Sequence, residues 1–340
     1  MAAKLGLSET NMPIQNLSFN RRQFLALGAA PLAAAQVSPA WASSAPVRFV
    51  VPFPAGGAAD AMARVIVDAL KDDFNQPIIV DNRAGASTRV AAEVLKNSPA
   101  DGNTVLMTLM DTMVIAPLVY NNLRYNPEKD FAPITTVADL TYGIAVNAAS
   151  PYKTLDDYLK AARSDKQVAA LGVSGLGSLL HFLAYDFTRQ SKVDISIIPF
   201  QGGPVMVTNL LGNQIGSAID GLGVFLEHHR NNKLRILAVS SKQRLSHLPE
   251  VPTFTELGYP SLLVDSGYSL YAPAGTAATH ITRWNAAMRK VLVRPEVRQK
   301  IQTIGYQPTQ GSAPEDVTKL RQRLIEHWTP IVKATGYKSD

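Results

Sequence analysis

The feature that most constrains this chain is residues 47–70, where the pattern of a buried strand changes to that of a helix across a glycine turn. Residues 47–53 are rich in β-branched residues and Phe, Gly56 and Gly57 interrupt the run, and apolar residues then recur at helical spacing. Such a turn brings unpaired backbone N–H groups and the positive end of the helix dipole to one point. Because glycine lets a ligand approach the backbone closely, the turn is either an anion site or a connection that only packs.

Two further stretches repeat this arrangement, which favours the anion site. A short apolar run at 169–174 is followed by a glycine-containing turn at 175–178 and a helical pattern, and residues 195–200 are followed in the same way by 201–204. The separation between the first and third turns is too long for a solenoid repeat. Two similar lobes, each directing helix N-termini at one shared ligand, would explain all three turns.

An export signal is predicted at residues 1–42. Arg21-Arg22 and a following Phe-Leu pair open a mildly apolar run, and Ala40-Trp41-Ala42 has the small–x–small pattern of a cleavage site. The paired arginines favour the twin-arginine route. The start codon is either Met1 or Met12, and we expect a periplasmic location for the mature chain.

Composition narrows the class of protein. Residues 43–340 are more than one core holds comfortably, so two lobes are expected. The net charge of +6 comes without a basic run or stripe, so no nucleic-acid partner is expected. The absence of cysteine excludes disulfides, thiolate metal sites and a thiol nucleophile. No later apolar run is long enough to insert stably into a membrane, and we expect no metal and no cofactor.

Strand and helix patterns alternate through the mature chain, which predicts an α/β fold. We place lobe 1 at 43–143 plus 269–340 and lobe 2 at 144–268. Strand-like stretches at 134–146 and 262–272 are predicted to pass between the lobes. Residues 110–112 are expected to end a strand, and residues 312–315 are predicted to open the last helix with a capping box.

Nine motifs in order resemble the substrate-binding proteins of tripartite tricarboxylate transporters, also called Bug receptors. The resemblance covers almost all of residues 46–337. Its motifs lie at residues 51–57, 82–86, 99–102, 130–133, 174–178, 199–203, 237–240, 248–253 and 272–276.

This resemblance implies a two-lobed, periplasmic-binding-protein-like type II fold with two interlobe crossovers and a cleft between the lobes. It also implies a small carboxylate ligand (a di- or tricarboxylate, an amino acid or an aromatic acid) held by backbone amides, hydroxyls and water. The partners would be the transporter's membrane subunits. The alternative is a ligand-sensing protein that signals to a membrane sensor kinase.

The candidate ligand-binding residues lie on the three turns and at nearby strand ends. They are Pro54, Ala55, Gly56, Gly57, Asp60, Arg89, Met110, Asp111, Ser174, Gly177, Ser178, Gln201, Gly202, Gly203 and Asp220.

Four of these side chains have two interpretations each. Asp60 either stabilises the first turn of its helix or contacts a cationic ligand group. Arg89 and Asp111 depart from the family's usual residues, and each either faces the cleft or does not. A cleft-facing Arg89 would pair with a second ligand carboxylate, whereas a cleft-facing Asp111 would repel a plain dicarboxylate or accept from an amino group or ring N–H. Asp220 lies either at the cleft edge or in the edge of the core.

An enzyme is the remote alternative, using Ser174 or Ser178 with His181 as in a serine hydrolase. The sequence around Ser174 lacks the last glycine of a nucleophile elbow. Gly175 and Gly177 also lack the third glycine of a dinucleotide fingerprint. We therefore expect no catalytic activity.

Overall fold

A computed structural model describes residues 46–264 and 266–339. The predicted signal peptide, its twin-arginine motif and its cleavage site lie outside these residues. Within the described part of the chain, no helix is both long enough and apolar enough to cross a bilayer.

The described residues form eleven strands and ten helices. The strands are β1 (Val47–Val51), β2 (Ile78–Asn82), β3 (Thr104–Leu109), β4 (Phe131–Asp139), β5 (Tyr142–Asn147), β6 (Ala170–Ser174), β7 (Ser196–Phe200), β8 (Ser217–Gly221), β9 (Leu234–Val239), β10 (Gly267–Pro273) and β11 (Gln307–Pro308). The helices are α1 (Ala58–Ala69), α2 (Arg89–Lys96), α3 (Met110–Val119), α4 (Leu155–Ala162), α5 (Leu179–Ser191), α6 (Gly203–Leu211), α7 (Gly223–Arg230), α8 (Ala278–Leu292), α9 (Pro295–Thr303) and α10 (Pro314–Thr335).

The strands belong to two mixed sheets. The first has the order β11-β4-β10-β3-β1-β2, and the second has the order β7-β6-β8-β5-β9. Strands β1, β2 and β3 run parallel, as do β6, β7 and β8, with helices connecting them as in other βαβ units. The predicted two-lobed α/β fold is confirmed.

The chain passes between the sheets twice, once between β4 and β5 and once between β9 and β10. The predicted single strand at 134–146 is therefore two strands that end and restart at residues 140 and 141. The second crossing strand begins at Gly267 instead of residue 262, because residues 260–262 form a short 3-10 turn.

Successive side chains of β1 face two different cores, which explains why the strand is apolar throughout. Phe49 faces a core formed with α1 and α8, whereas Val50 faces a second core that continues from the first sheet to the second. Helix α10 packs against α3, β4 and α5, so the last helix connects elements of both sheets. Trp284 and Trp328 are almost fully buried in these two cores.

Two local predictions are wrong. Residues 110–112 open α3 and do not end β3. The capping box at 312–315 does not form, because Ala313 is the N-cap and has no side-chain acceptor. The Ser312 hydroxyl instead accepts a hydrogen bond from the Thr136 backbone N–H at 3.2 Å, which fastens this segment to β4.

Candidate functional site

The three glycine turns follow the carboxyl ends of parallel strands, the edge at which open α/β sheets bind ligands. In the first sheet, Val51 of β1 pairs with Asn82 of β2. In the second sheet, Ser174 pairs with Phe200, and the preceding Val173 pairs with Ile219. Register therefore places Ser174 beside Asp220, the residue that follows Ile219.

The first turn is open to solvent. Pro54, Ala55, Gly56 and Gly57 are all exposed. Gly56 has a φ of +84°, and no atom of residues 46–264 or 266–339 lies within 4 Å of the place where a Cβ would be. First-turn N–H groups of a helix have no intrahelical partner, and Gly57, the N-cap of α1, has no side chain to accept from them. Gly57 and Ala58 are exposed whereas Ala59 and Asp60 are buried, so the approach open to an anionic ligand is over Gly57 and Ala58.

Asp60 is buried beneath this turn and is engaged by the protein itself. Its Oδ2 accepts from the Gly56 N–H at 2.9 Å and from Arg64 Nε at 2.8 Å, and its Oδ1 accepts from Asn82 Nδ2 at 3.0 Å. The Arg64 hydrogen bond, helped by those from Gly56 and Asn82, outweighs burial and lowers the pKa of Asp60 to about 2. This geometry favours the helix-stabilising interpretation of Asp60.

The Arg89 guanidinium lies 3.5 Å above the centre of the Tyr120 ring, and its Nε donates to the Ala86 carbonyl at 2.8 Å. The loop before it is strained, since Ala86, Ser87 and Thr88 have φ values of +44°, +51° and +75°. The side chain is half-buried against α3's C-terminal end and is held by the protein's own groups.

Met110 and Asp111 occupy the first turn of α3. Met110 is buried, and Tyr271 donates its hydroxyl hydrogen to Met110 Sδ at 3.4 Å. Asp111 is half-buried, and its Oδ1 is shielded from solvent and has no hydrogen-bond partner among the described residues. Burial raises the pKa of Asp111 to about 6, although the backbone N–H of Leu179, at the start of α5, acts against this shift. Asp111 therefore reaches from the first sheet's elements to a helix N-terminus of the second.

Asp220 has a similar environment at the end of β8. It is 6% exposed, and its Oδ1 accepts from the Gly221 N–H at 2.6 Å. In the described part of the chain, its buried Oδ2 has no hydrogen-bond partner. Burial raises the pKa of Asp220 to about 6, and the Ser174 hydroxyl acts against the shift. The Oδ2 lies 3.2 Å from where a Cβ on Gly203 would be, so the carboxylate faces the third turn.

In the second turn, the Ser178 hydroxyl is hydrogen-bonded to the turn's own backbone. Ser178 Oγ donates to the Gly175 carbonyl at 2.7 Å and lies 3.3 Å from the Ser174 carbonyl. Gly177 is buried, and a Cβ there would lie 2.5 Å from the Tyr337 ring. His181 Nδ1 accepts from the Gly177 N–H at 3.4 Å, so Ser178 and His181 have no nucleophile–base hydrogen bond.

The third turn is more open. Gln201 is exposed, and Gly202 has a φ of +104° with only Pro204 near its missing side chain, at 3.9 Å. Gly203 begins α6 and is buried against Val224. Ligand access to this turn is thus through Gln201 and Gly202.

Sequence reasoning missed an aromatic and hydroxyl cluster where the chain crosses between the sheets. Tyr142 and Ser266 are almost fully buried, and the Ser266 hydroxyl lies within reach of the Tyr142 hydroxyl. Burial, together with the charges of Asp111 and Asp220, raises the pKa of Tyr142 well above its usual value. The sequence did contain a signal for this cluster, because a tyrosine lies at each predicted crossing: Tyr142 at the first and Tyr268 at the second.

Two cavities of about 590 Å³ each are lined by residues outside the three glycine turns. One is lined by α7 and α9 residues, including Arg230 and Gln302, and the other by residues of α1 and β2, including Arg64 and Ile79. Within the described residues, no group of three or more His, Asp or Glu side chains could hold a metal ion.

Comparison with known proteins gives consistent matches along the chain. The family model described as "Tripartite tricarboxylate transporter family receptor" matches residues 62–337. The chain is 31% identical to Protein BugT of Bordetella pertussis, over 90% of this chain and 94% of that protein.

Solved structures show the same similarity. An R. palustris protein solved with adipate is 29% identical and has a TM-score of 0.75, over 86% of this chain and 97% of that one. MatC from Rhodopseudomonas palustris, solved with bound malate, is 28% identical and has a TM-score of 0.72, over 84% and 98% of the two chains.

Proposed function

The chain belongs to the tripartite tricarboxylate transporter receptor family, and from that premise we propose that it captures a small carboxylate-bearing solute between its two sheets. The observation that carries the proposal is the exposed Gly56-Gly57 turn, which places the uncapped N-terminus of α1 at the carboxyl end of a strand. Adipate and malate in two structural neighbours support a carboxylate.

Receptors of this family are substrate-binding proteins and are not enzymes, so the expectation of no catalytic activity is confirmed. They are also periplasmic. We propose that this chain is exported by its twin-arginine signal and delivers its solute to transporter membrane subunits, as the family's description suggests.

The affinity expected from this arrangement is moderate. Charge-assisted hydrogen bonds contribute roughly 1.5–3 kcal/mol each, and a helix N-terminus adds at most about 2 kcal/mol. Desolvation and association cost several kcal/mol. A net free energy near −8 kcal/mol, or a Kd of roughly 1 μM, is therefore attainable without a salt bridge.

The Gly57→Arg substitution tests whether the first turn binds the ligand. Gly57 has a φ of −79°, and a Cβ there meets only the Pro54 carbonyl oxygen at 3.5 Å, so arginine fits the backbone and fills the approach to the N–H groups. We expect at least a tenfold loss of affinity, measured by calorimetry after a thermal-shift screen of carboxylates finds a ligand.

Gly212→Arg is the matched control, because Gly212 is exposed, has a φ of −80° and ends α6 away from the turns. It is expected to bind like the unsubstituted protein. Full affinity in a folded Gly57→Arg protein would remove the first turn from the site. Gly202→Arg is less informative, because the φ of +104° strains any side chain.

A further inference from the structure

Two carboxylates from opposite sheets lie near Tyr142, which opens β5 directly after the crossing from β4. Asp111 follows β3 in the first sheet, and Asp220 lies in β8 of the second, where it pairs with Gly143, the residue after Tyr142. The charges of both carboxylates act on Tyr142. Asp111 also acts on Tyr268 at the other crossing. The two carboxylates therefore lie on either side of the junction between the sheets.

Two buried oxygen atoms at this junction lack hydrogen-bond partners among the described residues. They are Asp111 Oδ1 and Asp220 Oδ2, whereas the Ser266 hydroxyl interacts with the Tyr142 hydroxyl. Buried polar groups in folded proteins are nearly always paired, and an unpaired one costs about 1–3 kcal/mol, more when it is charged. Asp220 is 94% buried, so bulk solvent cannot supply the missing hydrogen bond to its Oδ2. The junction thus lacks hydrogen-bond donors that an occupant would supply.

The protein's own cations do not supply them. Burial, the backbone amides of Leu179 and Gly221 and the Ser174 hydroxyl account for the shifted pKa values of these two carboxyl groups, and no Lys, Arg or His among the described residues contributes. The nearby cation that sequence reasoning singled out, Arg89, is stacked on Tyr120. An occupant that is anionic throughout would meet two uncompensated negative charges.

An ionised carboxylate only accepts hydrogen bonds, so its complement is a donor. An ammonium group has three donors and a positive charge, and it would pair with both carboxylates at once. The exposed turn at Gly57, at the N-terminus of α1, favours the opposite chemistry, an anion. A single small molecule that satisfies both sets carries an amino group and a carboxylate.

We propose that the solute bound between the sheets is an amino-carboxylate, whose ammonium group donates hydrogen bonds to the carboxylates of Asp111 and Asp220. A plain di- or tricarboxylate lacks this group and is not the solute. This inference rests on the proposed function and narrows its ligand class. Because Asp111 and Asp220 come from opposite sheets, one ammonium group between them would also favour the form in which the sheets are close.

Matched probe pairs test the inference. Succinate and L-aspartate differ by one ammonium group, as do glutarate and L-glutamate. The mature protein is screened at pH 7.5 by thermal shift against these four, adipate, malate and the other protein amino acids, and binding is quantified by calorimetry. We expect an amino acid to bind at least tenfold more tightly than its amine-free counterpart.

Asp111→Asn and Asp220→Asn should each weaken amino-acid binding at least tenfold and leave or improve any weak binding of plain dicarboxylates. Asp72→Asn, on an exposed turn, is the control and should bind normally. Binding of no amino acid, equal binding within the pairs, or unchanged affinity in both Asn variants would overturn the inference.

The proposed function has a separate outcome. If plain dicarboxylates bind tightly and Gly57→Arg abolishes that binding, the inference fails while the receptor proposal stands. If neither class of probe binds, the inference fails, and the receptor proposal fails with it when tricarboxylates and aromatic acids do not bind either.

Discussion

Asp60 illustrates how a single buried carboxylate fixes the first glycine turn. Its three hydrogen-bond partners belong to the turn, to α1 and to the end of β2. Sequence reasoning placed this residue correctly in the first helical turn, where an acidic side chain complements the dipole. It could not predict the contact with Asn82, because that contact depends on the register between β1 and β2.

The Asp60→Asn substitution is expected to destabilise the protein by about 1–2 kcal/mol at pH 7, a discounted value because Arg64 is exposed. The folded-state pKa of Asp60, about 2, is below the usual 3.8. The stabilisation is therefore present above pH 3.8 and lost as pH falls through about 2. Urea unfolding of both proteins from pH 7 towards pH 3 should show the difference shrinking.

Asp68→Asn is the control on the same helix, because Asp68 is paired with exposed Lys71 at the surface. It should leave the free energy of unfolding almost unchanged, because an exposed ion pair contributes little to stability. An Asp60→Asn protein that is equally stable at pH 7 would show that the turn does not depend on this carboxylate.

At the scale of elements, strand–turn–helix units were predictable and the joins between distant segments were not. Residues 47–70 fold as their periodicity predicts, because local patterning and burial agree. The capping box failed because Thr136 uses the Ser312 hydroxyl, a contact between segments far apart in sequence. The same reason hid the contact of Tyr337 with the second turn, in which Gly177 was predicted to bind ligand.

The Gly177–Tyr337 contact predicts a coupled pair of substitutions. Gly177→Ala places a methyl group 2.5 Å from the Tyr337 ring at a φ of +73°, whereas Gly258→Ala has a similar φ of +88° and open space. Both should lose about 1–2 kcal/mol to backbone strain. Gly177→Ala should lose about 1–3 kcal/mol more through overpacking, as measured by urea unfolding.

A double-mutant cycle identifies the source of the extra loss. In a Tyr337→Ala background, Gly177→Ala should cost no more than Gly258→Ala, because the ring that obstructs the methyl group is gone. If Gly177→Ala still costs more stability than Gly258→Ala in the absence of the Tyr337 ring, then contact with the C-terminal residues is not the reason that the Gly177 turn tolerates no side chain.

At the scale of the whole molecule, the two-sheet architecture concentrates buried charge where the sheets meet. The family resemblance predicted the two crossings and a cleft between the sheets. It left open whether Asp111 faces that cleft, since the answer depends on how α3 and α5 approach each other. Asp111 lies close to the Leu179 N–H of α5, so its ionisation is linked to the packing of the two sheets.

The ligand-free protein should therefore respond to pH through this junction. The folded-state pKa of Asp111, about 6, is above the usual 3.8, so its contribution to stability is full below pH 3.8 and is lost as pH rises through 6. Relative to the unsubstituted protein, Asp111→Asn should become more stable by about 1–3 kcal/mol between pH 4 and pH 7, since it carries no charge to bury.

Comparing variants at each pH isolates this effect, because His181, His247 and His327 have lowered pKa values and act in the opposite direction in both proteins. Urea unfolding at pH 4, 5, 6 and 7 gives the difference directly. Asp72→Asn, at an exposed position, should show no such trend. A difference that is constant from pH 4 to pH 7 would mean that Asp111 ionises as freely in the folded chain as in the unfolded one, and that the junction between the sheets is open to water.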